Sequence, residues 1–189
     1  MKNKLSKAKK YKFPYSVYFP ADWVKLLKND RGKGELVMEQ SVRRTRWGGF
    51  ILGLGIMGSL DGIIFHQILQ WHSVYMETDR HGKLLSDGLF HIAATLLMIW
   101  GALLLWQADK PRKPYGMPFL LGWIFIGGGV FNFTEGLINH QILQVHHVKP
   151  GDPNELAYDL AFLASGLIMA GIGLWLRRPN NASAQSLKA

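Results

Sequence analysis

The sequence predicts an all-α membrane protein, a polytopic four-helix bundle made of two tandem two-helix repeats. Two observations predict it. A polar pattern in one apolar segment returns in another at an offset of 74 residues. The chain also contains four apolar runs, at residues 47–70, 87–107, 117–144 and 158–176. An α-helix needs ~20 residues to cross ~30 Å of hydrocarbon, and each run is close to that length.

The repeated stretch is "DGIIFHQILQWHSV" at residues 61–74 and "EGLINHQILQVHHV" at residues 135–148. The helices that follow also correspond, beginning at Asp87 and Asp159. Each hairpin crosses the membrane twice, so the two halves are expected to share one orientation about a pseudo-twofold axis along the membrane normal. The predicted parts are a basic N-terminal segment 1–46, hairpins 47–107 and 117–176, and a tail 177–189.

The charge pattern predicts the orientation. Residues 1–46 hold thirteen Lys and Arg against four Asp and Glu, and loop 108–116 holds three against one. The other two loops are close to neutral, so both termini and loop 108–116 are expected in the cytoplasm. A cleavable signal peptide is not expected. The basic N-terminus is interpreted as a topology signal that attracts anionic lipid, and nucleic acid is not an expected partner.

The chain contains no cysteine. This excludes disulfides, thiolate zinc sites, iron–sulfur clusters and cysteine nucleophiles. A metal site would need imidazole, carboxylate or amide ligands. Ionisable groups inside a membrane are costly and need partners, which makes the acids and histidines of the repeated stretch candidate site residues.

Helix geometry predicts which of these groups lie at one depth. His66 is expected ~7 Å and His91 ~6 Å inside the outer end of their helices, and His140 matches His66 by repetition. The three imidazoles would form the core of an outward-facing site for copper, zinc or iron. Asp61 and Glu135 would lie beneath them, in one site on the pseudo-twofold axis.

Further candidate residues surround this core. Asp61 and His66 are five residues apart, ~140° around an α-helix, so both face the bundle only if that helix is well surrounded. Gln70 is expected to hold the ring of His66, and Gln144 that of His140. The remaining metal candidates are His72, His146 and His147 at the mouth and the acids Asp87 and Asp159, with Gln67 and Gln141 as further supporting amides.

Two other interpretations stay open. His66 and His140 are also suitable axial ligands for a b-type haem. Alternatively, the polar groups form a structural or proton-conducting network without metal, because membrane helices use such side chains as interhelical hydrogen-bond partners. A metal site would suit metal handling, assembly or a membrane-bound metalloenzyme, with a metal donor or membrane enzyme as partner besides lipid.

The blocks "HQILQWH", "DGLFH", "HQILQVHH" and "DLAF", in this order, resemble the bacterial membrane-protein family called domain of unknown function 2243. The resemblance covers residues 47–176 and implies four helices in a bacterial cytoplasmic membrane. Family members typically have a double histidine after the tryptophan that closes the first block. Here Ser73 follows His72, so the double histidine occurs only at His146 and His147.

Overall fold

The computed structural model describes residues 21–108 and 116–178, with side chains from residue 34 onward. Residues 1–20, most of the basic loop 108–116 and nearly all of the C-terminal tail lie outside the described residues. The chain falls into two units, 1–36 and 37–189, and the second contains the bundle.

The described residues form helices and no strands. Helix α1 spans Ala21–Asp61, and a seven-residue π-helical segment, π1, continues it over Gly62–Ile68. Helix α2 spans Arg80–Trp106. Helix α3 spans Met117–Glu135 and continues into a second π-helical segment, π2, over Gly136–Ile142, after which α4 spans Glu155–Leu176.

Within the described ranges, four segments are long and apolar enough to cross a membrane: Gly34–Ile68, Arg80–Trp106, Met117–Ile142 and Glu155–Leu176. The predicted all-α fold with four membrane-spanning helices is confirmed. Large apolar side chains such as Leu96, Leu103 and Leu167 are exposed on the helix surfaces, as expected of a protein that contacts lipid.

Two helices begin earlier than the apolar runs indicated. Helix α2 begins at Arg80 rather than near residue 87, because Asp79 caps it by accepting a hydrogen bond from the Gly82 amide at 2.8 Å. Helix α4 begins at Glu155 rather than near residue 158. In both cases a turn that begins with a charged residue, Arg80 or Glu155, precedes the apolar run.

Glycines allow α1 and α3 to cross at close range. A Cβ on Gly53 would collide with the backbone of Ile124, and a Cβ on Gly127 would collide with the backbone of Phe50. Membrane helices commonly approach through such small residues. The contact is reciprocal between aligned positions of the two halves, as a pseudo-twofold axis requires, although duplication of the hairpin remains a prediction.

Candidate metal centre

The polar residues of the repeated stretch lie together at the end of the bundle where loops 69–79 and 143–154 meet. Glu135 is the least buried of its acids, with a side chain 10% exposed. Eight polar residues of this region are buried: Asp61, His66, His72, Asp87, Asn132, His140, His146 and Asp159.

The first group of potential ligands is Asp61, His66 and His72. One ligand atom from each lies within 4.8 Å of the other two. Asp61 Oδ2 is 3.5 Å from His66 Nε2, and the rings of His66 and His72 lie edge to face with centroids 4.6 Å apart.

The second group is Glu135, His140 and His146, at the aligned positions of the other half, and it meets the same 4.8 Å criterion. Glu135 Oε1 lies 3.2 Å from His140 Nε2 and 3.0 Å from His146 Nε2. The longer side chain of Glu135 thus reaches both imidazoles, whereas Asp61 is paired only with His66 in the first group.

The π-helical segments explain how residues five positions apart meet. In π1 the Leu69 amide donates to the Ile64 carbonyl, and in π2 the Leu143 amide donates to the Ile138 carbonyl, both across five residues. Widening the turn in this way brings a residue closer to the one five positions further along the chain. The α-helical angle expected between Asp61 and His66 is therefore not the angle present, and π-segments of this kind occur frequently at functional sites.

Each π-segment is followed by a glutamine in the left-handed backbone region, Gln70 with φ 51° and Gln144 with φ 49°. Such a φ is uncommon for a residue other than glycine. The chain turns back there, and His72 and His146, expected at the mouth, are buried beside the deeper histidines.

The supporting amides are not where sequence reasoning expected them. Gln70 is exposed and directs its amide to the carbonyl of Gln67 at 3.5 Å, so it does not hold His66. Gln67 and Gln144 are also exposed. Gln141 donates to Asp159 Oδ2 at 3.2 Å and is the one of the four that contacts the candidate site.

The two loops orient each other's histidine. His72 Nδ1 lies 2.8 Å from the Val148 carbonyl, and His146 Nδ1 lies 3.0 Å from the Val74 carbonyl. A carbonyl only accepts, so each Nδ1 is the donor. His72 Nε2 then keeps its lone pair, whereas His146 Nε2 is hydrogen-bonded to Glu135 Oε1 at 3.0 Å. Burial and the neighbouring imidazoles of His146 and His66 lower the pKa of His72 to about 3, so its ring is neutral at physiological pH.

Asp87 and Asp159 lie behind the two groups. Asp87 Oδ1 accepts from the Val74 amide at 2.9 Å and lies 3.0 Å from His66 Nδ1. Asp159 Oδ1 accepts from the Val148 amide at 2.9 Å and lies 3.5 Å from His140 Nδ1. Each acid thereby fixes the loop residue whose carbonyl orients the histidine of the other half.

The two groups are contiguous. The rings of His72 and His146 stack with centroids 4.7 Å apart and an interplanar angle of 11°. His66 and His140 flank this stack, at 4.6 Å from His72 and 5.0 Å from His146 respectively. The four imidazole rings therefore lie in a row across the two halves, and each ring contacts the next.

His91 lies outside both groups. Its ring packs against Gly62, where an added Cβ would be 2.7 Å from His91 Cε1. Leu163, the residue aligned with His91, packs against Gly136 in the same way. The two residues thus fill equivalent space beside the π-segments.

His147 connects the second group to the surface. Its Nδ1 lies 2.7 Å from Asp159 Oδ2, its Nε2 lies 3.3 Å from Glu155 Oε1, and its side chain is 26% exposed. The sequence did not predict that Glu155 or the carbonyls of Val74 and Val148 would contact these histidines. Glu155 has no acidic counterpart at the aligned start of α2, and backbone acceptors have no side-chain signature.

Imidazole nitrogens of the cluster are buried without a hydrogen bond. The ring nitrogens of His66 and His140 lie 3.0–3.5 Å from carboxylate oxygens but are poorly aligned for hydrogen bonds, and His72 Nε2 has no partner at all. Buried polar atoms are normally satisfied. Neutral imidazole and carboxylate are ligands of zinc, copper and iron, so the donor set fits a transition-metal ion.

Neither a curated protein nor a solved structure matches the chain. A family model described as "Predicted membrane protein (DUF2243)" matches residues 48–180. That range includes both potential ligand groups, both π-helical segments and the four helices in which they lie, apart from the N-terminal part of α1. The chain belongs to this family of membrane proteins.

Proposed function

We propose that this protein binds a transition metal, copper, zinc or iron, within the membrane bundle. The observation that carries the proposal is the buried His72 Nε2, which has no hydrogen-bond partner although its ring is oriented by the Val148 carbonyl. An oriented, neutral and desolvated imidazole lone pair beside His66 and a carboxylate is the arrangement that metal ligands adopt.

The proposed role is metal handling at the end of the bundle that is expected, from the charge pattern, to face the outside of the cell. Delivery of an ion, or its insertion into a membrane enzyme, requires a buried site with a route to water. His147 and Glu155 supply partly exposed ligand atoms adjoining Asp159. Catalysis would in addition require a substrate-binding site. Metal handling needs only the buried ligands and the partly exposed ones, so it is the simpler proposal.

The histidine arrangement favours ions over haem. A porphyrin held by His66 and His140 would need the space between them. The stacked rings of His72 and His146 occupy the space between His66 and His140. Haem ligation would therefore require the two loops to withdraw and break both crossed hydrogen bonds.

A metal-free structural network is the second candidate. The crossed hydrogen bonds of His72 and His146 favour it, because they join the loops whether or not an ion is bound. Its weakness is the set of imidazole nitrogens that remain without a hydrogen bond.

Metal analysis and an absorption spectrum of the purified protein test these alternatives. We expect stoichiometric copper, zinc or iron, no Soret band, and a melting temperature that rises when Cu²⁺ or Zn²⁺ is added. The variants His72→Gln and His140→Ala should each bind less metal per chain than the wild type. His91→Leu, which installs the residue found at the aligned position 163, should retain it.

Two results would contradict the proposal. A Soret band lost in His140→Ala would establish haem. Absence of metal, together with a melting temperature insensitive to added Cu²⁺ and Zn²⁺, would establish the structural network.

A further inference from the structure

We infer that the cluster holds two metal ions side by side, one in each ligand group, as a single dinuclear centre. The inference rests on the proposed metal binding and deepens it. The first ion would be held by Asp61, His66 and His72, and the second by Glu135, His140 and His146.

Ligand number is the first reason. Each group offers two imidazoles and one carboxylate whose ligand atoms lie within 4.8 Å of one another. Three protein ligands are the usual set for a metal that keeps a position open for water or another small ligand. The six residues thus supply two complete sets.

Proximity makes the two sets one centre. His72 belongs to the first set and His146 to the second, and their rings stack at 4.7 Å. The crossed hydrogen bonds hold both rings in place through Nδ1. His72 Nε2 is left without a partner, and His146 Nε2 faces Glu135 Oε1, the carboxylate of its own set. Because the two rings are in contact, ions bound to them would lie in one continuous polar cluster rather than in two separate sites, the arrangement used by two-metal centres.

Charge supports two ions rather than one. Four carboxylates surround the cluster: Asp61, Asp87, Glu135 and Asp159. Every ion pair that these carboxylates make among the described residues is with a histidine. Each set lies beside two of these acids, Asp61 and Asp87 in one half and Glu135 and Asp159 in the other, so one ion in each set would place positive charge beside both pairs.

The two sites are not equivalent. Glu135 Oε1 contacts both imidazoles of its set, so an ion entering there displaces contacts of His140 and His146. His72 Nε2 has no hydrogen-bond partner to displace. The ion of the first set is therefore expected to bind before the ion of the second.

The test is the stoichiometry and magnetism of Cu²⁺ in the full-length, detergent-solubilised protein, first freed of metal by chelation. We expect two Cu²⁺ per chain and an electron paramagnetic resonance spectrum with a half-field transition from an interacting pair. The variants His72→Gln and His146→Gln should each bind one Cu²⁺, with an isolated-ion spectrum. Glutamine retains an amide donor for the carbonyl that each Nδ1 contacts.

The control variant is His91→Leu, outside both sets, which should keep two interacting ions. One Cu²⁺ per chain in the wild type would overturn the dinuclear centre and leave the proposed metal binding intact. Two Cu²⁺ with isolated-ion spectra would also overturn it, because the sites would then be separate. No tightly bound Cu²⁺, Zn²⁺ or Fe²⁺ would overturn both proposals.

Discussion

At the scale of single residues, the site depends on acceptors that carry no side-chain signal. The sequence predicted that Asp61, His66, Glu135 and His140 would lie near one another, because the repeated spacing places them at one end of the bundle. It placed His72 and His146 at the mouth, because nothing in the sequence shows that Gln70 and Gln144 adopt positive φ and turn the chain inward. The backbone carbonyls that orient both rings could not be predicted either, because main-chain acceptors have no signature in the sequence.

The acids behind the ligands provide a prediction at this scale. Asp87→Asn removes the negative charge 3.0 Å from His66 Nδ1 but keeps an acceptor for the Val74 amide. We expect ~10–100-fold weaker metal binding, the usual effect of losing such a supporting partner. Competition titration with a chromophoric chelator measures it.

Asp79→Asn is the matched control, because Asp79 is exposed, caps α2 and lies outside the cluster. Asparagine also caps helices well, so its metal affinity should equal that of the wild type. Equal affinity in Asp87→Asn would show that the charge of Asp87 does not support the ligands.

At the scale of elements, the π-helical segments are the feature that sequence reasoning missed. An α-helix separates Asp61 from His66 by ~140°, and the apolar runs contain no marker that distinguishes a π-turn from an α-turn. Gly62 and Gly136 begin the two segments, and their lack of a Cβ lets His91 and Leu163 pack against them. Helix existence follows from hydropathy, whereas the local change in winding follows from tertiary contacts.

Close helix crossing gives a prediction for this scale. Gly127→Ala places a methyl group against the Phe50 backbone of α1, which cannot move away without shifting the helix. We expect destabilisation of about 1–3 kcal/mol, as for other overpacked interiors. Thermal unfolding in detergent measures it.

Gly171→Ala serves as its control, because no atom lies within 4 Å of a Cβ at Gly171 in α4. Alanine is the better helix former by up to ~1 kcal/mol, so this variant should match or exceed the wild type. Equal melting temperatures for Gly127→Ala and Gly171→Ala would mean that α1 and α3 do not pack as described.

At the scale of the whole molecule, the number of spans was predictable because crossing a membrane demands a length of apolar sequence, and composition reveals that length directly. The ends of the helices were less predictable, because polar turns capped by residues such as Asp79 extend them. The meeting of the two loops was implied only by the even number of crossings in each hairpin.

Topology is the prediction at this scale. Single cysteines in place of Glu77 and Pro153, both exposed and in different loops, should react with a membrane-impermeant maleimide added outside intact cells. A cysteine in place of Gln107, at the opposite end of α2, should react only after the membrane is opened. The chain has no native cysteine to interfere. Reaction of Glu77→Cys and Pro153→Cys on opposite sides would be incompatible with the meeting of the two loops.

The crossed contacts of the loops determine which sequence changes this centre can tolerate. The acceptors for His72 and His146 are main-chain oxygens of Val148 and Val74, so no side-chain replacement at those two positions deletes them. Insertions and deletions are different, because one residue gained or lost between Gln144 and Val148 shifts the carbonyl that serves the opposite half. The loops should therefore accept varied residues but only one length, and a change of length in either loop should impair the half that it does not belong to.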